Sequence, residues 1–167
     1  CLVKSDRLDW LLQKATELGV RHVDLLRSAR SEVRLRGDRL EKRQRHWRGV
    51  TVGALEQSGR TRLPGLAVDD LGTWLEARDP GRVDTLRLML HPDAPPAPWG
   101  ADARPGAVEL LIGPEGGLAP EEVEAAASAG FRPWGLGPRV LRAETAPLAA
   151  LAVLQFAFGD LGPRAGP

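Results

Sequence analysis

One cysteine, Cys1, stands among 167 residues. That excludes a disulfide framework and a thiolate metal site, and it makes a reducing cytoplasm the expected setting. The three histidines, His22, His46 and His91, are scattered along the chain, so no metal site is expected. No apolar run approaches the roughly 20 residues of a membrane span, and nothing near residue 1 reads as a secretory signal. Internal repeats and low-complexity tracts are missing too. The chain does not begin with Met, and helical periodicity starts almost at once, so it is expected to be a fragment or processed piece of something longer. With 43% hydrophobic residues, what remains is one domain of ordinary size that can bury a real core.

Residues 110–126 read LLIGPEGGLAPEEVEAA, the outline of a nucleotide-binding turn. They lack what such a turn uses to hold phosphate. A phosphate loop needs Lys and Ser/Thr after its last glycine, and Gly116-Gly117 is followed by Leu118-Ala119. The dinucleotide spacing is absent as well, since the glycines stand at 113, 116 and 117. The next helix opens Pro120-Glu121-Glu122, which suits the helix dipole. It also puts two negative charges where an anion would dock. The ligand of this turn is therefore not expected to be held by its phosphates.

The net charge of +1 conceals a split. Residues 1–62 hold 15 Lys/Arg against 8 Asp/Glu, net +7, whereas residues 63–167 hold 8 against 14, net −6. Most of the cations are arginines, which fork onto phosphates and stack on bases better than lysine. Two readings stand: a basic surface for a polyanion, or an ordinary solvated helix face.

Along the chain, helical patterns alternate with short apolar runs. Leu8, Leu11, Leu12, Ala15 and Leu18 recur at helical spacing with Gly19 as C-cap, and Val20–Leu26 reads as a strand. A helix from about Asp38 to Gln57 sets Leu40, Trp47, Val50 and Ala54 against many arginines, although Gly49 and Gly53 interrupt it. Leu66–Val68 reads as a short strand, and Asp69-Asp70 opens a helix through Trp74 and Leu75. Thr85–Leu90 and Val108–Ile112 are buried strands joined by the Pro-rich HPDAPPAPWGADARPG. Pro120–Ala129 is helical, Trp134–Leu136 is extended, and Thr145–Phe158 closes as a wholly apolar helix. Such alternation predicts an α/β domain with a mostly parallel sheet flanked by helices.

Three segment ends carry unusual residues: Leu90-His91-Pro92, the 112–117 turn, and Leu136-Gly137-Pro138-Arg139. Ligands of open parallel sheets bind outside the carboxyl ends of strands. Glycines there let a ligand lie on the backbone, and prolines stiffen the loop. A single Gly-Pro turn is an ordinary loop; two, each ending a strand-like stretch, point to a site. Next comes LGPRVLRAETAPLAAL, where Arg139, Arg142 and Glu144 crowd the entrance to the apolar helix. One reading is an Arg–Glu pair with Thr145 or Glu144 as the cap. Another is that the helix start is buried, so its guanidiniums need a ligand or partner.

LLIGPEGGL, LGPRVLRAETA, LQKATELGV and EQSGR, in the family's order and spanning Lys4 to Gly162, resemble the family that methylates uridine N3 in 16S ribosomal RNA of the small subunit. That family belongs to the SPOUT superfamily of trefoil-knotted methyltransferases. The resemblance implies a single knotted α/β domain over 1–167 that binds S-adenosylmethionine and works as a homodimer. It places the cofactor at Leu90, His91, Ile112, Gly113, Pro114, Gly116, Leu136, Gly137, Leu141, Arg142, Thr145 and Ala146. Lys14, Glu17, Gln57, Arg60 and Arg139 fall in motifs similar to the family's RNA-facing positions. For the chemistry, Arg142 is expected to stabilise the uridine oxyanion, and Glu144 or Glu115 to take the N3 proton. The family's N-terminal PUA-like β-barrel is absent from these residues. Rival readings are a methyltransferase of another RNA, such as tRNA, and a non-catalytic RNA-binding or ribosome-assembly module on the same fold.

Overall fold

A computed structural model describes residue 1 and residues 5–31 and 36–162. In chain order the elements are α1 (Ser5–Glu17), β1 (His22–Arg27), α2 (Gly37–Gln57), β2 (Gly65–Asp70), α3 (Leu71–Glu76), β3 (Thr85–Leu90), β4 (Ala107–Leu111), α4 (Pro120–Ser128), β5 (Arg132–Trp134) and α5 (Thr145–Phe158). Helix α1 buries Leu8, Leu12 and Ala15 on one stripe, then stops at Gly19, whose φ of +84° closes the C-cap. The chain uses Val20 to leave the helix, its N–H bonded to the Ala15 carbonyl, so β1 begins later than the apolar run does.

Helix α2 runs unbroken through Gly49 and Gly53, contrary to the interruption those residues predict. Trp47, Thr51 and Ala54 are buried at one-turn spacing, and that packing outweighs the roughly 1 kcal/mol propensity cost of each exposed glycine. Strand β2 extends to Asp70 because it pairs in parallel with all of β1, from His22 opposite Gly65 to Arg27 opposite Asp70. A two-pronged Arg27–Asp70 ion pair, at 2.9 and 3.0 Å, closes that end, so α3 starts only at Leu71. Likewise β5 lies at Arg132–Trp134, earlier than expected, because it registers against Leu88–Leu90.

Every strand pairing is parallel, but the single sheet expected from the alternation is divided in two. One sheet is β1-β2; the other is β4-β3-β5, with β3 central. The helix layers run on across both. Leu26 of β1, Met89 of β3 and Leu111 of β4 share one core with Trp74 and Leu75 of α3 and Ala126 of α4. On the opposite face Leu25 packs with Leu8, Leu12 and Trp47, while Leu86 and Leu88 pack with Ala150 and Leu154 of α5. Both faces of the parallel strands are thus covered, as such strands require. The buried Arg87 holds β3 in place: it donates to Glu109 of β4 at 3.0 Å and to the Asp79 and Ala129 carbonyls.

Candidate active site

The loops after β3, β4 and β5 converge at the carboxyl ends of their strands around a cleft of about 610 Å³. Leu90 and His91 supply one wall, Ile112, Gly113, Pro114 and Gly116 a second, and Leu136, Gly137, Leu141, Arg142 and Ala146 a third. Thr145, also assigned to the cofactor, falls outside the lining; it is the first residue of α5 and is exposed.

The 112–118 loop folds tightly on itself. Gly117, at φ +70°, bonds its N–H to the Pro114 carbonyl, and a Cβ on Gly113 would stand 3.1 Å from the Leu118 nitrogen. Gly113 is required by the turn itself. At Gly116 an added Cβ would meet Arg30 at 3.5 Å, an ordinary contact, so the turn itself does not demand glycine there. Arg30 also donates to the Gly116 carbonyl at 2.9 Å. The start of α4 is occupied by the protein's own anion: Glu122 accepts from the Ala119 N–H at 2.8 Å and the Ala29 N–H at 2.7 Å. This carboxylate disfavours a phosphate at the start of α4, in keeping with the acids read from the sequence.

The third wall passes close over the first. The His91 N–H bonds to the Trp134 carbonyl and the Gly135 N–H to the Pro95 carbonyl, each at 3.0 Å. A Cβ on Gly135 would collide with the Ala94 carbonyl, so only glycine allows the two loops to cross there. Gly137 follows at φ +96° with open space where a side chain would be. The backbone groups of Leu136, Gly137 and Leu141 make no hydrogen bond to any described residue. A cleft of nucleoside size edged by free main-chain donors and acceptors results.

Charges ring the mouth. Arg139 and Arg142 are solvent-exposed and pair with no carboxylate among the described residues, so the burial inferred from the apolar helix does not reach them. Arg7 of α1 stands 3.5 Å from Glu115 and 3.6 Å from Glu144. Glu115 lines the cleft and is 40% exposed. Glu144 lies outside the lining, and its Oε2 is buried with no hydrogen bond. Neither it nor Thr145 caps α5 through a side chain.

The residues expected to face RNA fall in two places. Arg139 belongs to the cleft, while Lys14, Glu17, Gln57 and Arg60 gather where α1 and α2 end. Lys14 and Glu17 pair at 2.8 Å, and Arg60 donates to the Thr16 carbonyl at 2.7 Å, bracing the end of α1. Arg7, Arg30 and Gly135 were not singled out from the sequence. Gly135 stands in WGLG beside Gly137, a signal that was present; Arg7 and Arg30 reach the site only through the fold.

Parallel strands that end in glycine turns around such a cleft define an α/β domain built to hold a small ligand at its strand ends. Residues 1–155 match the family model described as an RNA methyltransferase domain, and the chain belongs to that family. It is 31% identical to ribosomal RNA small subunit methyltransferase E of Bacillus subtilis, over 93% of this chain and 63% of the relative. The enzyme of the same name from Mycobacterium tuberculosis is 36% identical over 92% of this chain and 60% of its own length. A Legionella pneumophila methyltransferase solved with bound S-adenosylmethionine superposes with a TM-score of 0.87 at 37% identity, covering 96% of this chain and 65% of that one. A Neisseria gonorrhoeae ribosomal RNA small subunit methyltransferase E, also bound to S-adenosylmethionine, gives 0.81 at 37% identity over 93% and 63%. This chain therefore spans somewhat under two thirds of the length of these relatives.

Proposed function

We propose that the cleft binds S-adenosylmethionine and that the chain is the catalytic domain of an enzyme that methylates N3 of a uridine in 16S ribosomal RNA. The observation that carries the reading is the meeting of three glycine-bearing strand ends, with unbonded backbone at Leu136, Gly137 and Leu141. Those groups match the edges of an adenosine, and the apolar walls at Leu90, Ile112 and Leu141 match its faces. Two related chains of similar fold were solved with this cofactor bound, which supports the assignment. When bound, the cofactor supplies an electrophilic methyl group.

The remaining work falls to this chain. Uridine N3 must lose its proton before its electron pair can accept a methyl group. Arg142, a free cation on the rim, stabilises the negative charge that then spreads onto the base carbonyls. The proton passes to a carboxylate: Glu115 lines the cleft, Glu144 lies outside it, and both stand near Arg7. Arg139 and the basic first 62 residues guide the RNA.

A homodimer, a trefoil knot and a cytoplasmic setting belong to the same reading. Phe156 and Val153 of α5 are 62% and 43% exposed, an apolar face that a second copy would cover. The crossing of Gly135 over Ala94 is the place where a threaded chain would lie. Calorimetry with S-adenosylhomocysteine tests the core of the proposal and should give about one site per chain. No heat at high micromolar ligand would refute it. Mapping modified nucleosides in ribosomal and transfer RNA from a deletion strain then identifies the acceptor.

A further inference from the structure

The cleft at the strand ends is lined by four arginines, Arg7, Arg30, Arg139 and Arg142, and by one carboxylate, Glu115. Such an excess of one sign suits an anionic group on what the cleft holds, and the four cations are not equivalent. Arg7 already faces Glu115 and Glu144, at 3.5 and 3.6 Å. Arg139 and Arg142 belong to the third wall, where the unbonded main chain of Leu136, Gly137 and Leu141 offers its groups to an adenosine. Arg30 comes from the loop after β1 and meets the second wall at Gly116. Building on the cofactor reading of the cleft, we propose that Arg30 binds the carboxylate of the cofactor's methionine tail.

The local sequence fixes where Arg30 stands. Residues 28–31 form a closed turn: the Ser31 N–H donates to the Ser28 carbonyl and the Ser28 N–H to the Ser31 Oγ, each at 3.1 Å. The two hydroxyl oxygens lie 2.8 Å apart, and Ser31 is buried, so the turn is pinned from within. Glu122 ties it to the start of α4 by accepting the Ala29 N–H at 2.7 Å. From that base the stem of Arg30 lies along Gly116. A Cβ built on Gly116 would stand 3.5 Å from the Arg30 Cβ and 3.6 Å from its Cδ. The Arg30 Nη1 then donates to the Gly116 carbonyl at 2.9 Å. A long side chain held at stem and head has little rotamer freedom left to lose when a ligand arrives.

The charge of Arg30 is not yet matched. Its bond to Gly116 goes to a neutral carbonyl, and no carboxylate among the described residues pairs with it. The remaining donors of the planar guanidinium suit a carboxylate, which accepts two parallel N–H groups. S-adenosylmethionine has a single anionic group, and it stands at the end remote from the adenine. With the adenosine against the third wall, the tail runs towards the second, where Arg30 is anchored. The start of α4 does not compete for that anion, because Glu122 already takes its Ala119 N–H at 2.8 Å. Phosphates of the RNA meet Arg139 and Arg142 instead, both exposed and neither paired with a described carboxylate.

Calorimetry on S-adenosylhomocysteine and its decarboxylated analogue tests the assignment. The analogue keeps the adenosine, the sulfur and the ammonium and loses only the carboxylate. Arg30→Gln retains an N–H for the Gly116 carbonyl and removes the charge. It should weaken S-adenosylhomocysteine about tenfold and leave the analogue bound no more weakly than before. Arg30→Lys, which keeps the charge, should recover most of the loss. Equal weakening of both ligands by Arg30→Gln would make Arg30 a brace for the Gly116 loop and overturn the proposal. Unchanged affinity for S-adenosylhomocysteine would overturn it too; a fall in binding of a uridine-bearing RNA oligonucleotide would then give the guanidinium to a phosphate. If the unsubstituted chain binds neither ligand, the cofactor reading itself fails and the assignment of Arg30 falls with it.

Discussion

The cleft and the basic first 62 residues are built by opposite means. The cleft is shaped largely by main chain: Gly113 and Gly117 turn its second wall and Gly135 and Gly137 its third, with Arg30 bracing the Gly116 carbonyl. The basic half is rich in side-chain charge, yet several of those charges are already engaged within the fold. Arg60 braces α1, Arg27 pairs with Asp70, Lys14 pairs with Glu17 and Arg30 holds the Gly116 carbonyl. A net charge of +7 therefore overstates what is free to meet a polyanion, whereas the glycine count of the cleft understates nothing. Changes in the cleft should act on ligand binding, and changes in the basic half on stability and RNA.

The largest effect should come from Gly137→Val. At φ +96° a β-branched residue is strained by about 1–3 kcal/mol, and its side chain projects into open space at the cleft. S-adenosylhomocysteine affinity, read by calorimetry, should fall about 100-fold or more, while RNA binding at low salt stays within a factor of two. Loss of both together would erase the division between the two regions. Arg142→Ala comes next: single-turnover methylation should drop about 100-fold, the scale for removing one oxyanion donor. Its exposed guanidinium makes no contact with described carboxylates, so the fold should be nearly unchanged. Methylation that survives the substitution would take Arg142 out of the chemistry.

How much of this was legible in sequence follows the same division. Thr85–Leu90 and Thr145–Phe158 were read with the bounds they have, because polar or turn-forming residues flank both largely apolar runs: Asp84 and His91-Pro92 on one, Glu144 and Gly159-Asp160 on the other. Strand ends at β1, β2 and β5 shifted by a few residues, since a partner's register sets them and no local signal encodes that. Eleven of the twelve positions that the family resemblance assigns to the cofactor line the cleft; its Gly-Pro turns also stand out in the sequence itself, whereas Leu141, Arg142 and Ala146 came from the resemblance alone. Arg7 and Arg30 were invisible: they come to the site from more than 80 residues away in the chain. The division into two sheets was equally hidden, since alternation of elements says nothing about which edges meet.

A smaller effect tests the joint between the two regions. The Cys1 amine is enclosed although the residue is only half-buried, and burial lowers its pKa from 8.0 to about 6, with the Glu115 charge partly opposing. The unfolded state thus binds more protons between pH 6 and 8, so stability should rise with pH across that window. Below pH 6 the loss is complete, and above pH 8 there is none. A shift of that size caps the change at a few kcal/mol, about 1.4 kcal/mol per pKa unit. Urea unfolding at pH 5.5 and 8.5 should show most of it, and acetylating the amine should remove it while leaving an N–H for Ile112. An unchanged pH dependence after acetylation would assign it to other groups.

The smallest expected effect concerns Arg60. Arg60 follows α2 and donates to the Thr16 carbonyl at 2.7 Å, with a second, long contact of 3.5 Å to the Gly19 carbonyl. Only the first has the geometry of a hydrogen bond of ordinary strength, so Arg60→Ala should cost about 1 kcal/mol of stability. Cofactor affinity should not change, because Arg60 lines a separate cavity between β1 and β4 and not the cleft. Its positive charge is nonetheless half-exposed, and RNA affinity at low salt should fall by a small factor that vanishes as salt is raised. Arg60→Lys separates the two roles, since it keeps the charge and loses the planar fork. If Arg60→Lys restores RNA binding but not urea resistance, the residue is a brace whose charge also serves RNA. If it restores stability and leaves RNA binding impaired, Arg60 reads the nucleic acid through its geometry, and the contrast drawn between a main-chain cleft and a braced basic half fails at this position.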